Sequence, residues 1–171
     1  MQKYTHTFEN EMNDEGFLGQ NDIAGRASEA RRQLKAWYAQ HARPLPWRES
    51  PSVYGTWLSE IMLQQTRVDT GIPKWHAFQN TFPDVAALAS ASEEAVLKAW
   101  EGLGYYRRAR LLHRAAQAIH RDGHYPETYA DWLSLPGIGP YSAAAISSIA
   151  FGEPVAAVDG NVQRVASRWD G

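Results

Sequence analysis

Helix-breaking residues cut most of this sequence into short segments, and that punctuation limits its possible folds more than any other feature. Pro44 and Pro46, Phe82-Pro83-Asp84, Gly102-Leu103-Gly104, Gly123-His124-Tyr125-Pro126, Pro136-Gly137-Ile138-Gly139-Pro140 and Gly152-Glu153-Pro154 each interrupt a helical pattern. Between them side chains recur at three- and four-residue spacing, as at Leu34, Trp37, Tyr38 and His41. The spacing predicts helices from Ser28 to the prolines at 44 and 46, and then over about 53–68, 73–81, 93–100, 105–121, 129–133, 141–151 and 161–169. Alternating strand patterns are missing, so the expected class is all-α, a bundle of short helices.

Apolar content of 44% with 12% aromatics suits a globular domain. Residues 1–27 are polar, lack apolar periodicity and contain Gly16, Gly19 and Gly25, which predicts a flexible leader ahead of a domain over 28–171. The net charge of −2 is uneven: residues 1–29 carry two basic and six acidic side chains, leaving fifteen basic and thirteen acidic in the rest. Overall charge therefore neither supports nor opposes a nucleic-acid partner. The absence of cysteine excludes disulfides and thiolate-held zinc or iron–sulfur centres within the chain. With no long apolar run and no secretory pattern at the start, the expected location is cytoplasmic, or nuclear in a eukaryote.

Three segments could carry chemistry. In Leu135-Pro136-Gly137-Ile138-Gly139-Pro140-Tyr141-Ser142-Ala143-Ala144-Ala145-Ile146 two glycines open a turn that runs into a helix, exposing backbone amides able to hold a phosphate. The plainer reading is a packing corner. Asp159, ahead of Gly160-Asn161-Val162, is well placed to cap the next helix. Glu60 shares a helical stripe with Trp57 and Gln64 and has Ile61 and Met62 beside it. In such apolar company a carboxyl holds its proton to higher pH, whereas on a solvated edge it would not. Arg107, Arg110, Arg114 and Arg121 fall in one angular sector of their helix, either a solvated face or a phosphate-contacting one.

Taken together, these strings resemble the MutY family of adenine DNA glycosylases, within the helix-hairpin-helix base-excision superfamily. The similarity runs from about Ser28 to the last residue and implies a six-helix barrel core around the hairpin. It implies that Glu60 protonates adenine at N7 as general acid, that Asp159 faces the sugar and stabilises its cation, and that Tyr141 and Asn161 position Asp159 and the water. Gly137, Gly139 and Ser142 become DNA contacts at the hairpin. Leu45, Trp47, Arg48 and Leu63 would enclose the extruded base, although Trp47 alone reads as a packing residue. Tyr105, with Gln65 opposite, would fill or widen the gap in the base stack, and Arg107 and Arg110 would touch phosphates. For Tyr105 a buried helix-start aromatic is an equal alternative.

The resemblance implies a monomer acting on double-stranded DNA that holds adenine opposite 8-oxoguanine or guanine. It often carries with it a four-cysteine [4Fe-4S] cluster and a nudix-like domain farther on. Neither is found before Arg168-Trp169-Asp170-Gly171, which predicts a core truncated at its C-terminus, with no cofactor and no metal site in this chain. Two other functions remain open. An endonuclease III-like glycosylase and lyase would need a hairpin-helix lysine where Tyr141 stands. A non-catalytic DNA-binding fragment would bind without releasing a base.

Overall fold

The computed structural model describes residues 11–169. The described residues hold α1 (Glu11–His41), α2 (Pro46–Glu49), α3 (Val53–Met62), α4 (Val68–Thr81), α5 (Val85–Ser90), α6 (Glu93–Ala99), α7 (Arg107–Asp122), α8 (Tyr129–Leu133), α9 (Pro140–Phe151) and α10 (Gly160–Trp169), and no strand. None of these helices is long and apolar enough to cross a membrane. The chain divides into two bodies, residues 1–44 and 45–171.

In the first body, residues 1–10 of the expected leader lie outside the described residues, and over 11–27 the backbone is helical rather than irregular. A glycine inside a helix costs only about 1 kcal/mol relative to alanine, which the neighbouring turns can offset. Farther along α1, Glu29 accepts hydrogen bonds from Arg32 and Gln33, and the Trp37 ring stacks on His41 at 5.0 Å. These three- and four-residue pairs are the helix's own supports.

The second body is built around α3. Tyr54 to Ser59, Ile61 and Met62 are all buried, and Trp57 and Leu58 reach 0% exposure. Helices α2, α4, α7 and α9 pack on it; α5 and α6 pack on α7, and α8 on α9. Trp75, Phe78, Leu88, Val96, Trp100, Leu112, Trp132 and Ile146 belong to the same core. Burying Trp57, Leu58, Ile61 and Met62 of α3 contributes on the order of 10 kcal/mol before chain entropy is counted. Side-chain caps start several helices: Ser52 accepts from the amide of Gly55, Asp84 from Ala87, Ser92 from Ala95 and Thr128 from Asp131.

Where structure and expectation differ, the reason is mostly tertiary. The helix expected over 53–68 ends at Met62, and residues 63–67 form a turn instead. Helix α4 then begins at Val68 rather than Pro73, and Pro73 lies inside it. Helices α2 and α5 were not among the expected stretches, being too short for periodicity to show. Helix α10 has polar and apolar faces, but none of its residues is buried.

The hairpin of α8 and α9 treats its two glycines differently. Gly137 adopts φ of +79°, and a Cβ there would come within 2.6 Å of Leu111 Cβ on α7. Gly139 caps α9 in extended backbone, φ −94°, with nothing within 4 Å of a Cβ. Gly137→Ala should therefore destabilise the domain by roughly 2 kcal/mol or more, from backbone strain plus overpacking. Gly139→Ala should shift stability by less than about 0.5 kcal/mol, as surface substitutions usually do. Urea unfolding of both variants checks the contrast.

Candidate active site

Glu60 emerges where the buried stripe of α3 meets the edge of the core. It is half-buried, and no donor among the described residues reaches its carboxylate. Burial without a compensating hydrogen bond holds its carboxyl above the ordinary glutamate range, and the charge of Arg48 partly opposes this. Asp159 is held the other way. Its Oδ1 accepts the amides of Val162 at 2.8 Å and Asn161 at 2.9 Å, and its Oδ2 accepts Asn161 Nδ2 at 3.1 Å. The Val162 amide, more than any other group, keeps this carboxylate below the ordinary aspartate range. Arg164 in turn donates to Asn161 Oδ1 at 3.1 Å, fixing the amide that serves Asp159.

Tyr141, in the first turn of α9, links the two. Its phenol is pushed above its ordinary pKa by burial first, and then by the charges of Glu60 and Asp159. Both carboxylates therefore act on one hydroxyl, although 99 residues separate them in sequence (159 − 60). Tyr141 on α9 thus feels charges carried by α3 and by the turn before α10, from a carboxyl whose pKa is raised and one whose pKa is lowered.

A second cluster lies at two turns. Gln65, after α3, has φ of +59°, and Tyr105, before α7, has φ of +47°. Left-handed backbone is uncommon for residues with a side chain and concentrates at functional sites. These residues line a cleft of about 830 Å³ with Gln64, Tyr106, Arg107, Arg108 and Leu111. Tyr105 is 67% exposed, which decides against the buried helix-start aromatic. Gln64 Nε2 donates to Ser142 Oγ at 3.2 Å and so joins this cluster to the hairpin beside Tyr141.

The remaining expected site residues are placed unevenly. Gly139 leaves open space before the first turn of α9, while Ser142 is only 3% exposed and its hydroxyl is engaged with Gln64. Leu45, at the cap of α2, is buried, and Trp47 packs against Trp75 with ring centroids 5.7 Å apart. Leu63 lies against the backbone of Gly71, so a Cβ there would come within 2.7 Å of its Cδ2. Arg48 is the member of that group whose charge reaches Glu60. Arg107 is exposed; Arg110 is too, but its Nε pairs with Glu93 at 3.0 Å.

Sequence reasoning missed Arg108. The signal was present: Arg108 shares the buried stripe of Leu112, Ala115 and Ile119, where a cation requires a reason. No group of three or more His, Asp or Glu side chains suited to a metal occurs among the described residues. With no cysteine, the sequence lacks the thiolates a [4Fe-4S] cluster requires.

Residues 58–171 match the family model described as HhH-GPD superfamily base excision DNA repair protein. The chain is 45% identical over 150 residues to a human protein named adenine DNA glycosylase, covering 81% of this chain and 27% of that protein. A Mycolicibacterium smegmatis protein of the same name is 42% identical over 139 residues, covering 80% and 47%. The chain thus spans less than half the length of these curated relatives. A solved thermostable thymine-DNA glycosylase superposes with a TM-score of 0.72 at 26% identity, covering 81% of this chain and 68% of that one. A solved endonuclease III–DNA complex gives a TM-score of 0.64 at 19% identity, covering 84% and 71%, and shows the fold alone.

The Arg48 charge opposes the effect of burial on Glu60, so removing it should raise the Glu60 pKa further. If the protonated form of Glu60 is the working one, activity is full below that pKa and falls as pH rises through it. Arg48→Met should then move the alkaline limb of a pH–rate profile to higher pH, while Asp159, already ionised, leaves the limb where it is.

Proposed function

Because the chain belongs to the HhH-GPD superfamily of base excision DNA repair proteins, we propose that it is the catalytic core of a monofunctional DNA glycosylase. It acts as a monomer on double-stranded DNA and releases adenine mispaired with 8-oxoguanine or guanine. The observation that carries this reading is the opposed pair, a half-buried Glu60 whose carboxyl is held above its ordinary pKa and an Asp159 held below its own, both of whose charges act on Tyr141.

The chemistry follows from that opposition. Glu60 gives its proton to N7 of the extruded adenine; the bond from C1′ to N9 breaks and its electron pair leaves with the base. The sugar becomes an oxocarbenium-like cation, which the Asp159 carboxylate stabilises. Water adds at C1′ and its proton passes to a carboxylate, leaving an abasic site. Tyr141 and Asn161 hold Asp159 and the water in place, Asn161 through its two hydrogen bonds to the carboxylate.

Binding uses other parts of the surface. The uncrowded first turn of α9 at Gly139 offers amides to a phosphate, and exposed Arg107 adds charge beside the cleft. Gln65 and Tyr105 enter the base stack from the two strained turns, favouring extrusion. Named relatives and the resemblance of the Glu60 segment support adenine as the base. Tyr141 in place of a lysine argues against Schiff-base lyase chemistry, since a phenol cannot form an imine.

Duplexes carrying adenine opposite 8-oxoguanine, incubated with the chain and then treated with alkali, should yield shortened strands only after the alkali step. Glu60→Gln and Asp159→Asn should each slow release at least ~10²-fold. Shortened strands without alkali would favour the lyase alternative. Salt-dependent binding without base release would make the chain a DNA-binding core.

A further inference from the structure

The Arg108 guanidinium gathers carbonyls from two turns far apart in sequence. Its Nη1 donates to the carbonyl oxygens of Ile61 at 2.9 Å, Met62 at 2.9 Å and Gln64 at 2.7 Å. Its Nη2 donates to Leu103 O at 3.0 Å and reaches Gly104 O and Thr66 Oγ1 at 3.4 Å. The group lies over the rings of Trp100 and Tyr105, 5.4 and 5.7 Å from their centroids.

The choice of acceptors is informative. Gln64 O and Gly104 O belong to the peptide groups immediately before Gln65 and Tyr105, the two non-glycine residues with positive φ among those described. Side chains stay in that region only where their surroundings hold them there. A rigid planar fork reaches both turns at once and fixes their separation, which the compact ammonium of lysine cannot do. The cation also faces the carbonyl end of α3, where the helix dipole favours positive charge. A guanidinium so occupied is taken up by the backbone, unlike its exposed neighbour Arg107.

We infer that Arg108 is a positioning residue that holds Gln65 and Tyr105 in their left-handed conformations and thereby sets the geometry with which this pair enters DNA. The inference rests on the proposed function only for the entry of Gln65 and Tyr105 into the base stack.

The test uses Arg108→Lys, which keeps the charge, and Tyr105→Ala, which removes the inserted ring. The probe is a duplex with 2-aminopurine at the target position opposite 8-oxoguanine, whose fluorescence rises on unstacking. At saturating protein, Arg108→Lys should lose extrusion about tenfold or more, because misplaced groups act poorly even when bound. Its affinity for the duplex should change much less, since the phosphate contacts lie elsewhere. Tyr105→Ala should also lose extrusion. If it does and folded Arg108→Lys does not, the inference is overturned; failure of Arg108→Lys to fold overturns it too, by making Arg108 a general scaffold residue.

If Tyr105→Ala extrudes normally, the insertion reading falls, and Arg108 is then judged on a double-mutant cycle of melting temperatures with Gln65→Gly. Glycine enters the left-handed region freely, so its effect should differ between wild-type and Arg108→Lys backgrounds. Equal effects in both would overturn the clamp.

Discussion

Burial of α3 on almost every side is the constraint from which the rest of the structure follows. The drive is strong enough to leave the indole N–H groups of Trp57 and Trp132 buried without acceptors among the described residues, at about 1–3 kcal/mol each. Because Ile61 and Met62 must face the core, Glu60 is carried to the core's edge, where a charge is poorly solvated. The same packing sets the α3 carboxyl end against Arg108 and the opening of α9 against Gln64. One helix thus places the candidate proton donor at its last turn, and its continuation feeds the turn that carries Gln65.

The two carboxylates illustrate how environment divides labour between like groups. Glu60 is desolvated, with the charge of Arg48 partly favouring its ionisation, whereas Asp159 sits near the surface and accepts two backbone amides and a side-chain amide. Asp159 is at once a helix cap and a candidate stabiliser of a sugar cation, and the roles reinforce each other. The cap's hydrogen bonds keep the carboxylate ionised and aimed.

Much of this was legible in the sequence, and what was not has a common cause. Pro and Gly marked most helix ends, and the elevated carboxyl of Glu60 could be read from Ile61 and Met62 beside it. The position of the break between α3 and α4 could not, because residues 63–67 contain no helix breaker. That turn is held by Arg108 from more than forty residues away. Similarly, the hairpin string marks two glycines, but only the contact of Leu111 with Gly137 shows that one is required for packing while the other leaves a helix end open. Ser142 read as a surface contact until the fold turned its hydroxyl inward onto Gln64.

The claim on which the account turns is that Glu60 retains its proton where an ordinary glutamate has lost it. Carbon-13 NMR of the side-chain carboxyls, with Glu60 and Asp159 assigned by their amide variants, follows each group through its own titration. The account predicts that Glu60 titrates above the ordinary glutamate range and Asp159 below the ordinary aspartate range, in the same sample. A Glu60 that ionises at or below the ordinary value would contradict it, leaving no proton donor at the site.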